Sequence, residues 1–323
     1  MLVISESLAR ELVSVEDAIR EVERTFAAMA RGEARNYPVV REAIGYRDAV
    51  YGVKSGGDVE APLLGLKAGG YWPHNAGKGL GNHQSSTLLF DPETGRATAL
   101  VSANYLTGIR TGAASAIATR YLSREEASIV GIIGTGVQAE YQLRATMAVR
   151  RVERVHAWDP SEQSLANFRE TVAGLGLECI TEPACEAVAR EADILITATP
   201  SRRALVEQGW VRPGTHISAM GCDTRGKQEL DPQLVAASAL FADEAEQSIS
   251  IGEFQHAYAS GLITGESLRG SIGQVIAGHC DGRRNANEIT IFDGTGVALQ
   301  DLVVAALAVR LAKEHGHGVS VDY

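Results

Sequence analysis

The stretch Ser128-Ile129-Val130-Gly131-Ile132-Ile133-Gly134-Thr135-Gly136-Val137-Gln138-Ala139 decides the fold. Its first six residues are an apolar run, the pattern of a strand buried on both faces. A glycine turn follows at once, and helical spacing runs on from Val137 to about Arg150. Strand, glycine turn and helix in that order form the phosphate cradle of a dinucleotide-binding domain. Gly134 permits the tight turn, Gly136 lets backbone approach a pyrophosphate, and Ala139 lets helix and strand pack closely. The helix start, at Thr135, Val137 and Gln138, offers N–H groups to the phosphates. The next strand, Val152–Trp158, ends at Asp159, near the spacing of a ribose-binding carboxylate. Residues 158–164 contain no Arg or Lys to accept a 2′-phosphate, so NAD is expected rather than NADP.

Downstream, short apolar strands alternate with helices. Strands are expected at Glu178–Thr181, Ile194–Thr199, Thr215–Met220, Ala239–Asp243 and Glu288–Phe292, with helices at Ser161–Ala173 and Ala184–Glu191. This alternation predicts a doubly wound parallel sheet, a Rossmann-type α/β fold. Ligands bind at the carboxyl ends of such strands, so Thr199, Pro200 and Gly221 join the candidate cofactor contacts. The charged run Asp243-Glu244-Ala245-Glu246-Gln247 reads as a solvated helix face.

Upstream the pattern differs. Ser14 begins a capping-box-like start to an amphipathic helix reaching about Arg31. Strands then follow without helices between them, at Tyr37–Ile44, Ala49–Ser55, Leu63–Tyr71, His83–Phe90 and Ala97–Ser102. Such a series predicts an antiparallel sheet in an α+β substrate and dimerisation domain. Boundaries are expected at residues 1–118 for this domain and 119–304 for the dinucleotide domain. A final helix, Val297–His315, returns, so that 305–323 completes the first domain.

The chain has 323 residues, enough for two cores, and a formal net charge of −10 with no basic block, which argues against nucleic acid. The four cysteines, Cys179, Cys185, Cys222 and Cys280, form no C-x-x-C pair. With no signal-peptide pattern and no apolar run of membrane-spanning length, a cytoplasmic protein is expected. The histidines lack metal-ligand spacing, so no metal is expected.

Several cations lie where alternation predicts cover. Lys67 shares a strand face with Leu63 and Gly65; Arg41 follows Val39-Val40, Lys54 follows Val53, and Arg110 sits among small residues. Arg and Lys suit carboxylate recognition. Asp223, just past the strand Thr215–Met220, is a candidate acid/base group; the competing reading is that it caps the helix after Asp231.

Lys67, Arg110-Thr111, Gly134-Thr135-Gly136, the run from Asp223 through Gly226-Lys227-Gln228-Glu229-Leu230, and Phe292-Asp293-Gly294-Thr295-Gly296 together resemble the ornithine cyclodeaminase/mu-crystallin family. The resemblance spans nearly the whole chain and implies a homodimer formed by the sheet domain. It also implies that Arg41, Lys67 and Arg110 hold a substrate carboxylate and that Asp223 is catalytic, with Lys67 beside it in the chemistry. Thr111, Asp293, Gly294 and Thr295 would lie near the nicotinamide. Cyclodeaminases carry an acid ahead of the Lys67 strand, where this chain has Tyr51-Gly52-Val53-Lys54-Ser55-Gly56. Exchanging an acid for Lys54 disfavours a diamino acid and favours a second carboxylate, with His83 placed to touch it. The chain thus resembles in particular the imino-acid reductase members. NADH-dependent reduction of iminosuccinate to L-aspartate is expected, ahead of alanine dehydrogenase, cyclic ketimine reductase or ornithine cyclodeaminase activity. A ligand-carrying, non-enzymatic protein is the alternative of another class.

Overall fold

The computed structural model describes residues 1–322; Tyr323, the end of the expected segment 305–323, lies outside the described residues. The chain divides into two units, Met1–Arg110 with Val297–Tyr323, and Thr111–Gly296. The divisions thus fall at 110/111 and 296/297, not at the expected 118/119 and 304/305. Those expected points lie inside the helices Asn104–Leu122 and Ala298–Glu314, which are continuous across them.

In the first unit the sheet order is Val319–Ser320, Leu2–Ile4, Ala97–Ser102, His83–Phe90, Leu63–Tyr71, Val50–Asp58 and Ala34–Asn36, with Val40–Ala43 also pairing Val50–Asp58. The sheet is mixed rather than wholly antiparallel, because Leu2–Ile4 runs parallel to Ala97–Ser102. The expected strand Tyr37–Ile44 is shortened to Val40–Ala43, and a further short strand, Ala34–Asn36, precedes it. Strands Leu63–Tyr71, His83–Phe90 and Ala97–Ser102 lie where alternation predicts them.

One face of this sheet is covered by the apolar helix Ala298–Glu314. A Cβ on Gly65 would stand 3.0 Å from Leu302 Cδ2, and one on Gly56 3.4 Å from Leu299 Cγ. Glycine on the strands therefore lets the helix settle close. The helix Val15–Arg31 presents Ile19, Val22 and Phe26 inward; Ser14 Oγ accepts the Asp17 N–H, and Gly32 ends the helix at φ 77°.

In the second unit eight parallel strands run in the order Glu178–Thr181, Arg154–Trp158, Ile129–Ile133, Ile194–Thr197, His216–Ala219, Thr290–Asp293, Ala239–Ala242 and Leu268–Ser271. Order reverses beside Ile129–Ile133, the switch point of a doubly wound sheet. Its two faces bury separate clusters. Ile133, Leu195, Ile217 and Ile291 lie in one, and Val130, Ile132, Ile194 and Ile196 in the other. This two-sided burial explains the near-continuous apolar strands. The helix Asn104–Leu122 ends where Arg150 donates to the Thr119 and Arg120 carbonyls and Arg283 Nε to the Leu122 carbonyl at 2.7 Å. Cations there satisfy carbonyls that the helix leaves open. Among the described residues no helix is long and apolar enough to cross a membrane.

Candidate active site

In the first unit the strand register gathers the sequence-derived cations. Lys54 lies directly opposite Lys67, and Lys67 opposite Thr87. Arg41 pairs with Gly52, two positions before Lys54, while His83 lies two before Ser85 and four before Thr87. With a side-chain period of two, Arg41, Lys54, Lys67 and His83 all belong to the face that the helix Ala298–Glu314 covers.

Lys67 and Arg110 are each only 7% exposed. Lys67 Nζ donates to Asp301 Oδ1 at 2.8 Å and to Thr107 Oγ1 at 3.3 Å. Arg110 Nε donates to the same Asp301 oxygen at 3.0 Å, and its Nη1 to Gln300 Oε1 at 2.8 Å. Burial, with the nearby charges of Arg110 and Lys54, outweighs Asp301 and brings the Lys67 ammonium down to about 7. Burial alone would raise Asp301, but Arg110, Lys67 and Lys54 hold it below the ordinary carboxylate range. Asp301 Oδ2 is buried with no hydrogen-bond partner among the described residues.

Sequence reading missed Asp301, Gln300 and Thr107. A signal was present: Gln300-Asp301 is a polar pair in the first turn of a helix otherwise built from Ala, Leu and Val as far as Val309. Such a pair on a buried helix needs partners.

In the second unit the glycine turn fits a dinucleotide. Gly134 has φ 93°, and a Cβ there would meet Thr199 Cγ2 at 2.7 Å. Gly136 is the N-cap of Val137–Met147 and supplies no side-chain cap, and a Cβ there would meet nothing within 4 Å. Thr135 Oγ1 and Gln138 Oε1 are buried without hydrogen-bond partners among the described residues, while Val137 is exposed. An uncapped helix start beside open glycine backbone suits phosphate oxygens. Asp159 accepts from Thr135 N at 2.7 Å and Ser161 N at 2.8 Å, so its carboxylate also braces the turn.

Asp223 Oδ1 accepts from Lys227 Nζ at 2.7 Å, and Lys227 also donates to the Gly221 carbonyl. Asp223 is not a helix cap: Asp231 itself caps Pro232–Ala236. The strand ends bearing Thr199 and Gly221 are held by Glu229, which the sequence offered as part of the Gly226–Leu230 run but not as a site residue. Glu229 Oε1 accepts from Thr199 N at 2.6 Å; its Oε2 accepts from Thr197 Oγ1 at 2.8 Å and Gly221 N at 2.9 Å.

Asp243 is a correction. It was expected on a solvated face, yet it is 2% exposed and accepts from Thr295 N, Thr295 Oγ1 and Gly296 N. The glycine turn after Thr290–Asp293 leaves these groups without strand partners, and the carboxylate supplies them. Asp293 likewise faces inward, accepting from Glu253 N at 2.9 Å; burial raises it well above the usual range. Pro200 is exposed, and Thr111 is buried at its helix position.

A doubly wound unit with a phosphate cradle, joined by sequence to a sheet unit with a buried cation cluster, defines a dinucleotide-binding oxidoreductase class of protein. The chain matches the ornithine cyclodeaminase/mu-crystallin family over residues 1–315, and it belongs to that family. It is 49% identical over 322 residues to the iminosuccinate reductase of Paracoccus denitrificans (strain Pd 1222), covering 100% of both chains. The crystal structure of that enzyme with NAD+ superposes with a TM-score of 0.95, covering 100% of this chain and 99% of the other. The Thermococcus litoralis Δ1-pyrroline-2-carboxylate reductase with NADH and L-proline gives 0.96 at 34% identity, covering 99% and 100%. An archaeal alanine dehydrogenase dimer with bound NAD gives 0.95 at 36% identity, covering 100% and 99%.

Proposed function

We propose that the chain is an NADH-dependent reductase of a small 2-imino dicarboxylate, converting iminosuccinate to L-aspartate. The observation that carries this reading is the pairing of Lys54 with Lys67 across adjacent strands, on the face that also bears Arg41 and His83. Like charges directly opposite one another destabilise a sheet. One buried acid, Asp301, feels Lys54, Lys67 and Arg110 together, and a substrate with two carboxylates complements that excess of cations. Full-length similarity to a reductase of iminosuccinate supports the same substrate.

The residues divide the work. Gly134 to Gln138 cradle the pyrophosphate and Asp159 the ribose hydroxyls, while Thr111, Thr199, Pro200, Gly221 and the turn Asp293-Gly294-Thr295 line the nicotinamide half. Bound NADH supplies the hydride. Arg41, Lys67 and Arg110 fix the carboxylate beside the imine carbon, and Lys54 with His83 receives the second one. This is chiefly catalysis by position. Asp223, steered by Lys227, stabilises the protonated imine and manages its proton.

NADH oxidation should follow addition of oxaloacetate with ammonia, more slowly pyruvate with ammonia, and not oxaloacetate alone. Ornithine conversion without net NADH consumption would overturn the reading in favour of a cyclodeaminase. NADH binding with no turnover on any imine would overturn it in favour of a ligand carrier.

We also infer a homodimer through the outer face of the first sheet. Its register aligns Leu66, Leu88, Leu100, Val3 and Val319 in one apolar row, and Leu100 and Val319 are exposed. Contiguous apolar surface of this kind marks an association site. Light scattering at micromolar concentration should give twice the chain mass, and Leu88→Arg should halve it. The four described cysteines are free thiols, in keeping with a reducing cytoplasm.

A further inference from the structure

Four acids are buried at the carboxyl-end edge of the parallel sheet: Glu229, Glu253, Asp293 and Asp243. They link in series. Glu253 accepts from Glu229 N and Leu230 N, Asp293 accepts from Glu253 N, and the Asp243 N–H donates to the Asp293 carbonyl. The donor atoms of Cys222, Glu229 and Glu253 lie within 4.8 Å of one another, but every carboxylate oxygen of the two glutamates already accepts from the protein. This is a hydrogen-bonded acid cluster, and the member that ties the cluster to the strand ends bearing Thr199 and Gly221 is Glu229.

Glu229 is fully buried and takes three donors from the ends of two adjacent strands, Ile194–Thr197 and His216–Ala219. A Cβ on Gly221 would fall 2.5 Å from the Glu229 carboxyl carbon and 2.4 Å from the Thr199 carbonyl. The glycine there is thus required by the carboxylate beside it. Thr199 in turn abuts Gly134 of the phosphate turn. These two strands lie on the far side of the switch point from Arg154–Trp158, in the half of the sheet that takes the second mononucleotide. That mononucleotide is the nicotinamide end, given Asp159 at the other.

Two adjacent buried carboxylates do not both ionise readily. Burial raises both carboxyls; at Glu229 three donors work against it, while at Glu253 burial and the Glu229 charge push the group up to about 8. The donors therefore favour the pair's negative charge on Glu229 and its proton on Glu253. NAD+ carries a pyridinium charge that NADH lacks, and a fixed anion in a dry site favours the cationic form.

Resting on the NADH reading above, we propose that Glu229 is a positioning residue that holds the Thr199 and Gly221 backbone for the nicotinamide and, through its charge, favours NAD+ over NADH. The direction assists hydride donation.

The test measures dissociation constants of NAD+ and NADH by fluorescence and calorimetry for wild type, Glu229→Gln and Glu229→Asp. Glu229→Gln should weaken NAD+ at least about fivefold more than NADH. Glu229→Asp keeps the charge but shortens the reach, and should weaken both by a similar factor. Equal losses in Glu229→Gln, or none, would overturn the proposal and leave the reductase reading standing. Failure of wild type to bind either dinucleotide would overturn both. Should Glu229→Gln not fold, Thr197→Val removes one donor; it should shift the ratio the same way by about twofold, and an unchanged ratio would contradict the proposal.

Discussion

The buried cation cluster of the first unit and the buried acid cluster of the second solve one problem in opposite ways. Lys67 and Arg110 share a counter-ion, Asp301, and their remaining charge suits an anionic substrate. Glu229, Glu253, Asp293 and Asp243 are met by backbone N–H groups instead, and burial raises Glu229, Glu253 and Asp293 toward keeping their protons. The first arrangement holds charge ready for a ligand. The second fixes backbone, and its acids are framework for the loops at the strand ends.

If that contrast is right, removing the shared counter-ion should cost most. Asp301→Ala leaves Lys67 and Arg110 buried without it and should lower stability by about 3–5 kcal/mol in urea unfolding. Asp243→Asn, which keeps one acceptor oxygen for Thr295 and loses only the acceptor for Gly296 N, should cost clearly less. Equal losses would erase the distinction.

Next comes the residue assigned to the proton. Asp223→Ala should lower kcat by about 100-fold in the imine assay with the dissociation constant for NADH near wild type. Turnover close to wild type would remove Asp223 from the chemistry.

Gly221→Ala tests the framework directly. Its Cβ would overlap the Glu229 carboxyl and the Thr199 carbonyl, so thermal unfolding should report about 1–3 kcal/mol of destabilisation. Gly136→Ala, with open space around its Cβ, should leave stability nearly unchanged and weaken dinucleotide binding instead.

The smallest effect is the pH dependence of stability, where the clusters pull in opposite directions. Lys67 is lowered from 10.5 to about 7, so between those values the unfolded chain holds a proton that the native state has released. Stability from this group rises with pH from about 7 to 10.5, and its burial cost is fully present below that window. Glu253 is raised from 4.5 to about 8, so the native state holds the extra proton. Stability from this group falls as pH rises from about 4.5 to 8. Lys67→Met should flatten the alkaline rise and Glu253→Gln the fall, read from urea midpoints across pH.

How much of this was legible in the sequence follows from range. The glycine turn, the parallel strands and the Leu63–Tyr71 strand carry local periodicities, and they lie where expected. Arg41, Lys54, Lys67 and His83 could be named because alternation places each on a face, but their common face emerges only from strand register. Asp301 lies 234 residues from Lys67, beyond any local pattern. Asp243 misled because charged neighbours at Glu244 and Glu246 imitate a solvated helix, while its real partners, Thr295 and Gly296, come from a distant turn. The units divide at 110/111, inside the helix Asn104–Leu122, rather than at 118/119, because helical periodicity does not record which unit a turn packs into.

The central claim is that the sheet-face cations read two carboxylates. Calorimetric titration of the NADH-loaded protein with succinate and with butyrate measures it most directly, in wild type and in Lys54→Met. Succinate should bind wild type at least about tenfold more tightly than butyrate, and most of that margin should vanish in the variant. Equal affinity for the two acids in wild type, or a margin untouched by Lys54→Met, would contradict it.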